Sequence, residues 1–279
     1  MNIVMTGGSG YLGSRLVRRF LEEGHNVLCL IIPDDPCTNL ADIHDKVRYL
    51  CTKDSAMEEK ICSFKPEVVV HTATVYERGK ATVDQVFEAN LEFPFRILWA
   101  ALKCGAKRWL NTATGLPDNI NSYSLSKAQF SQWGQLFANR GLIQFVNLKL
   151  EHFYGENGPD THFLAQVTKK LKENEPIDLT VGTQHRDFVY ISDIVDCFLH
   201  MLSVPVEGFT EVAIGTGVSP TIREVVEYLK EITNSTSELR FGAVPMRENE
   251  PDFVCDTTMM KSLGMECKYS WRDGMKKLI

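Results

Sequence analysis

Thr6-Gly7-Gly8-Ser9-Gly10-Tyr11-Leu12-Gly13 decides how this chain is read, because of what stands on either side of it. Ile3-Val4-Met5 before it is a short apolar run with the character of a buried strand. Residues 10–23 after it carry Leu12, Leu16, Val17 and Phe20 on one helical face, and Gly24 suits the end of that helix. Glycines at 7, 10 and 13 let a chain turn tightly off a strand, bring its backbone against a pyrophosphate, and pack the helix close to the sheet. The helix N-terminus then offers free N–H groups and the positive end of its dipole to phosphate oxygens. The spacing alone is a weak signal, but a strand before it and a helix after it are the context the motif requires. Gly7, Gly10, Tyr11, Leu12 and Gly13 are therefore expected to hold a dinucleotide.

Further along, strands are expected at residues 26–32, 47–51, 66–71, 108–112 and 143–150. Helices are expected at 81–104, bent at Pro94 and closed by Gly105, and at 122–139. Uncharged strands alternating with amphipathic helices predict an α/β fold with a doubly wound parallel (Rossmann) sheet. Beyond residue 150 turn signals become denser, and helices at 163–172, 193–202 and 222–232 are separated by short strands. This divides the chain into a dinucleotide-binding domain, 1–150, and a smaller substrate-binding α/β region, 151–279, with some segments returning to the main sheet.

The bulk composition narrows the function classes. The 279 residues are 44 % hydrophobic and 24 % charged, with a net charge of −6 and no Lys/Arg run longer than a pair. A nucleic-acid partner is not expected, since neutralising phosphates calls for a basic patch. None of the eight cysteines forms a CxxC pair or sits beside a His at ligand spacing, and several lie in apolar runs. They read as free, buried thiols of a reducing compartment, with neither a disulfide framework nor a metal site. No charged n-region precedes an apolar h-region, and no apolar run approaches ~18 residues. The expectation is a cytoplasmic protein with no membrane partner.

Catalysis is suggested by Asn121-Ser122-Tyr123-Ser124-Leu125-Ser126-Lys127. Tyr123 and Lys127, four residues apart on a helix, face the same side of one turn. A cation near a phenol favours phenolate and lowers the tyrosine pKa from about 10 toward the working pH. Such a tyrosine can exchange a proton with a sugar oxygen while hydride moves to or from a nicotinamide, and the lysine can hold the nicotinamide ribose. A strand-end hydroxyl, Thr112 first and Thr114 second, is placed to bond the reacting oxygen. At the end of the second strand, where an acid usually selects NAD, Ile31 and Ile32 stand instead. Asp34 or Asp35 is left to reach back, with no Arg close by, so the choice of dinucleotide stays open.

Glycine loop, strand-end Thr and Tyr-x-x-x-Lys, in this order, resemble the extended short-chain dehydrogenase/reductase superfamily of nucleotide-sugar epimerases, dehydratases and ketoreductases. The resemblance extends to Asp54, at the position of an adenine-contacting acid; to His71-Thr72-Ala73-Thr74, which would line the cofactor; to Asn90; to Tyr154-Gly155; and to the 186–193 block Arg-Asp-Phe-Val-Tyr-Ile-Ser-Asp. Narrower similarities at 110–112, 147–155, 215–219 and 241–243 resemble CDP-abequose synthase-like 4-keto-6-deoxysugar reductases. Those use NADPH to reduce the C4 ketone of a CDP- or dTDP-linked sugar for O-antigen and other surface polysaccharides.

That resemblance implies NADP(H), with NAD(H) as the alternative, and a nucleotide-sugar substrate. Tyr123 would be the proton donor, Lys127 its partner, and Thr112 the group that polarises the carbonyl. Arg247 would contact the substrate diphosphate, as a guanidinium fork suits two phosphate oxygens. Thr114, His152, Phe163 and Arg186 would line the substrate pocket. It also implies a homodimer, paired through the helices at 81–104 and 122–139. Two departures matter. The link from Thr112 to Tyr123 is shorter than in many sugar epimerases. Thr112-Ala113-Thr114 stands where sugar dehydratases carry Thr-Asp-Glu, which argues against dehydration. A nucleotide-sugar C4 epimerase that keeps NAD bound, and a non-catalytic dinucleotide sensor, are the competing readings.

Overall fold

The computed structural model describes residues 1–77, 81–247 and 250–279. The chain divides into two compact units: Met1–Lys149 with Val195–Val212, and Leu150–Ile194 with Ala213–Ile279.

The first unit is built on a seven-stranded sheet. Its strands are β1 (Asn2–Thr6), β2 (Asn26–Ile31), β3 (Arg48–Cys51), β4 (Val68–His71), β5 (Arg108–Thr114), β6 (Gln144–Leu150) and β10 (Phe209–Ile214), in the spatial order β10-β6-β5-β4-β1-β2-β3. β3, β2, β1, β4 and β5 pair in parallel. The order reverses between β1 and β4, and such a switch point is where doubly wound sheets open a crevice for ligand at the carboxyl ends of their strands. The glycine loop leaves β1 at that point and enters α1 (Tyr11–Glu22).

α2 (Met57–Phe64) follows β3. The single bent helix expected at 81–104 is three pieces: α3 (Val83–Phe87), a π turn (Glu88–Glu92) and α4 (Phe93–Lys103). The π turn runs without interruption into α4, and Pro94, in the first turn of α4, follows it directly. β5 also runs two residues past its expected end, to Thr114.

α5 (Ser122–Asn139) starts where its sequence says it should. Asn121 Oδ1 accepts from the Ser124 amide at 2.9 Å, while Ser124 Oγ accepts from the Asn121 amide at 3.2 Å. Gly134 lets α5 press on the sheet, since a Cβ there would stand 2.3 Å from the Phe145 ring. Beneath it Trp109, Phe130 and Phe145 are buried with ring centroids 5.6–6.2 Å apart, and His71 joins the pile. Contacts of this kind add about 1 kcal/mol each beyond the area they bury.

The thiols correct the expectation of eight free cysteines. Cys62 and Cys104 form a disulfide, their Cα atoms 4.7 Å apart, and the other six cysteines form none. The packing of α2 against α4, reinforced by Lys103 Nζ on Glu58 at 2.8 Å, brings the pair together across 42 residues.

In the second unit the strands are short. β7 (His152–Tyr154) pairs in parallel with β9 (Phe188–Tyr190), and β8 (Ile177–Leu179) with β11 (Leu239–Phe241). Helices α6 (Phe163–Glu173), α8 (Ile222–Ile232), α9 (Thr258–Ser262) and α10 (Trp271–Lys276) accompany them, while α7 (Ile191–Met201) carries the chain back to the first unit. Leu164, Val167, Val225, Leu229, Trp271 and Met275 form its core. Gly274 makes room for Tyr154, whose phenol donates to the Trp271 carbonyl at 2.9 Å. No helix among the described residues is long and apolar enough to cross a membrane.

Candidate active site

The glycine loop is a close-packed turn. Gly7 has φ +69°, and a Cβ on it would stand 2.5 Å from the Ala73 nitrogen; one on Gly13 would stand 1.9 Å from the Gly7 carbonyl oxygen. Both positions accept only glycine. The Gly10 amide donates to the Gly7 carbonyl at 3.0 Å, and the first helical bond runs from the Ser14 amide to Gly10. The amides of Tyr11, Leu12 and Gly13 precede that bond and form the end of α1 that suits phosphate. The exit of β4 closes the other side of the cradle. The Thr72 amide and Oγ1 both donate to the Thr6 carbonyl, at 3.1 and 2.9 Å, and Ala73 abuts Gly7. These residues fit the diphosphate of a dinucleotide.

Of the two acids left open after β2, Asp35 is the one that reaches the loop. Its Oδ2 accepts from Ser9 Oγ at 2.6 Å and its Oδ1 from the Cys37 amide at 2.8 Å, while Asp34 makes the turn at φ +60°. Asp54 is a helix-entry residue here. It accepts from the Ala56 amide at 2.8 Å and from Lys60 Nζ at 2.5 Å, and the Lys60 ammonium holds its carboxyl below the usual carboxylate range. Asn90 sits fully buried in the π turn. Its carbonyl oxygen accepts from the Val75 amide at 2.8 Å and from Thr74 Oγ1 at 3.1 Å, and its amide donates to the Val75 carbonyl at 2.8 Å and to Ser126 Oγ at 3.2 Å. All its hydrogen-bonding capacity goes to the protein, so it joins the β4 exit to α5 and has none left for a ligand.

Lys127 is 2 % exposed, and burial pulls its ammonium down to about 7. Its Nζ donates to the Thr112 carbonyl at 2.9 Å, which ties α5 to the end of β5. β5 is held from the other side as well. Asn111 donates to Asn147 on β6 at 2.7 Å, Asn147 to Glu211 on β10 at 2.8 Å, and Lys149 pairs with Glu211 at 2.6 Å. The two candidate hydroxyls differ in kind. Thr114 Oγ1 accepts from the Leu116 amide at 3.2 Å, whereas Thr112 Oγ1 is buried without a partner among the described residues. A buried hydroxyl left unbonded costs about 1–3 kcal/mol, which a ligand oxygen would relieve. Tyr123 stands one turn before Lys127, its ring 4.7 Å from that of Tyr76.

The second unit holds the other predicted residues. His152 opens β7 with its ring 5.9 Å from Phe188, Phe163 opens α6 at the surface, and Arg247 is exposed. Arg186 is buried and engaged. It pairs with Glu250, donates to the carbonyls of Pro251 and His185 at 2.5 and 2.6 Å, and lies 5.6 Å from the Phe253 ring. Asp187 beside it accepts from the Thr216 hydroxyl and amide and from the Gly217 amide, at 2.7–3.0 Å. Sequence reasoning missed Glu151, whose carboxyl burial and the Asp187 charge raise to about 7. Its position directly ahead of His152 was the only signal available.

A nucleotide-loop crevice at a switch point, with a Tyr–Lys pair and a strand-end threonine, defines the class: a dinucleotide-binding enzyme of the doubly wound type. The model of the NAD dependent epimerase/dehydratase family matches residues 3–215, and the chain belongs to that family. It is 32 % identical to CDP-abequose synthase of Salmonella muenchen, over 99 % of this chain and 96 % of that one. The UDP-glucose 4-epimerase of Thermotoga maritima, solved with UDP-glucose, superposes with a TM-score of 0.86 at 24 % identity, covering 99 % and 97 % of the two chains. That of Thermus thermophilus, solved with NAD, gives 0.83 at 22 %, with 99 % and 97 % covered. The chain is thus a member of an NAD-dependent enzyme family.

Proposed function

We propose that the chain reduces the C4 ketone of a CDP- or dTDP-linked 4-keto-6-deoxyhexose with NAD(P)H, in the supply of deoxysugars for surface polysaccharide. The observation that carries this is the unbonded Thr112 hydroxyl at the strand end to which Lys127 is tied, taken with full-length similarity to CDP-abequose synthase. Gly7, Gly10, Gly13 and the β4 exit would hold a dinucleotide, which supplies the hydride that C4 accepts and is left oxidised. The chain's own part is the proton. Thr112 donates a hydrogen bond to the ketone oxygen, and Tyr123 gives that oxygen its proton, so the C=O becomes CH–OH. Lys127, with its ammonium near 7, exchanges protons at working pH and restores the phenol. Arg247, with its guanidinium exposed, is proposed to bind the substrate diphosphate, and Arg186 is proposed as a substrate-binding residue.

The test is NADPH and NADH consumption with CDP- and dTDP-linked 4-keto-6-deoxyhexoses. Oxidation that requires the ketosugar supports the reading; no turnover with either nucleotide overturns it. The likeness to UDP-glucose 4-epimerases supports a second reading, a C4 epimerase. Tightly bound NAD in the purified protein, with epimerisation and no net dinucleotide use, would establish that one. A homodimer is proposed on the aromatic face of α4 and α5. There Trp99 and Trp133 are 47 % and 41 % exposed, and Phe95 and Phe137 link them with ring centroids 4.9–6.1 Å apart. Light scattering on the purified protein tests it. The cytoplasm is the proposed location.

A further inference from the structure

The loop that leaves β4 docks on the first turn of α5 at successive residues. Val75 is clamped through both its backbone amide and its carbonyl by Asn90, and the same Asn90 donates to Ser126 on α5. The Tyr76 ring lies 4.7 Å from the Tyr123 ring, the planes inclined by 32°. Glu77 then accepts from both the amide and the hydroxyl of Ser122, at 2.9 and 2.7 Å. The Ser122 amide is one of the open N–H groups of the helix end, and a carboxylate there is stabilised by the helix dipole as well as by the two bonds. The catalytic candidate is thus bracketed. Ser122, just before it, is held by a carboxylate; the phenol ring itself is held by a second aromatic; and Ser126, just after it, is tied to the π turn. Tyr76 is 41 % exposed.

We propose that Tyr76 and Glu77 are positioning residues for Tyr123. Tyr76 fixes the plane of the phenol by ring contact, and Glu77 fixes the turn that carries it. The inference rests on the reading of Tyr123 as the proton donor. Proton transfer in a ketone reduction requires the phenol oxygen within hydrogen-bond reach of the substrate oxygen, and a displacement of about 1 Å costs on the order of a hundredfold in rate. Neither residue needs to touch substrate to matter. A ring that swings freely spends most of its time out of reach, and its loss is felt in turnover more than in binding.

The experiment is steady-state kinetics of the full chain with a CDP- or dTDP-linked 4-keto-6-deoxyhexose, on Tyr76→Phe, Tyr76→Ala, Glu77→Gln and Glu77→Ala. Amide exchange at Ser122 and Tyr123 is measured on the same proteins, and Tyr123→Phe is the reference. Tyr76→Ala is expected to lose kcat about tenfold with KM within about twofold, and Tyr76→Phe, which keeps the ring, to retain most of it. Glu77→Ala is expected to lose several-fold in kcat and to exchange Ser122 faster, with Glu77→Gln intermediate because an amide oxygen still accepts. Unchanged kcat in both alanine variants overturns the proposal. So does a rise confined to KM, which would make Tyr76 a wall of the substrate site, and so does a Tyr76→Phe variant as impaired as Tyr76→Ala. If the wild type turns over no ketosugar, the reading of the function fails by itself. Amide exchange still decides the rest: faster exchange in Tyr76→Ala and Glu77→Ala keeps the positioning contacts, and unchanged exchange removes them.

Discussion

The two units join their elements by different means. In the first, the apolar sheet and its aromatic pile carry the packing, and at the end of β5 Thr112 Oγ1 has no partner among the described residues while the buried Lys127 ammonium rests on a carbonyl. In the second, short strands leave less apolar surface to bury, and polar side chains do the joining. Arg186 holds Glu250 and two carbonyls, and Asp187 holds the turn at Thr216-Gly217. The contrast makes Arg186 a structural anchor of the second unit.

The sharpest way to break this contrast is to damage each unit at its centre. Tyr123→Phe is expected to cut kcat by about a thousandfold while dinucleotide binding and the melting temperature hold, measured by ketosugar-dependent NAD(P)H oxidation and fluorescence titration. Arg186→Met should do the reverse in kind, costing about 3 kcal/mol in urea unfolding because it strands a half-buried Glu250 carboxylate. A stability unchanged in Arg186→Met would dissolve the distinction between the units. Smaller in effect, Gly134→Ala forces α5 off Phe145 and is expected to cost about 2 kcal/mol of stability, with a fall in kcat since α5 carries Tyr123. Asp35→Asn, at the edge of the glycine loop, removes a negative charge that opposes a 2′-phosphate. About a tenfold gain in the ratio of kcat/KM for NADPH over NADH is the outcome to look for.

The smallest effect separates the units by sign. Burial lowers Lys127 from 10.5 to about 7, so the unfolded chain binds more protons between those values and stability rises with pH through that window. Burial and Asp187 raise Glu151 from 4.5 to about 7, so the folded chain binds more protons there and stability falls with pH through that window. The advantage of Glu151→Gln over wild type should therefore grow from pH 5 to 7. That of Lys127→Met should shrink from pH 7 to 10. Urea midpoints across pH measure both, and parallel slopes for the two variants would show that the groups are not buried as described.

Local pattern was enough to place what local physics controls. The glycine loop, its strand and its helix are one contiguous run, and Asn121 with Ser124 set the start of α5 to the residue. Tyr123 and Lys127 share a turn because helix geometry allows nothing else. Even here one detail escaped. Pro94 marked the bend expected in a long helix, and what forms there is a π turn that runs up to the proline and buries Asn90.

What the chain's order of residues determined by itself, then, was the doubly wound sheet, the glycine loop between its first strand and helix, and the placing of Tyr123 and Lys127 one turn apart on one helix, because each follows from backbone periodicity and steric limits over a few neighbouring residues. Only the tertiary structure decided which groups are spent and which are open. Asp35 on Ser9, Cys62 with Cys104, Arg186 with Glu250 and Glu77 on Ser122 are separated by 26, 42, 64 and 45 residues. At such distances no periodicity links the partners. Side-chain contact and burial set the outcome, and neither exists until the elements have packed.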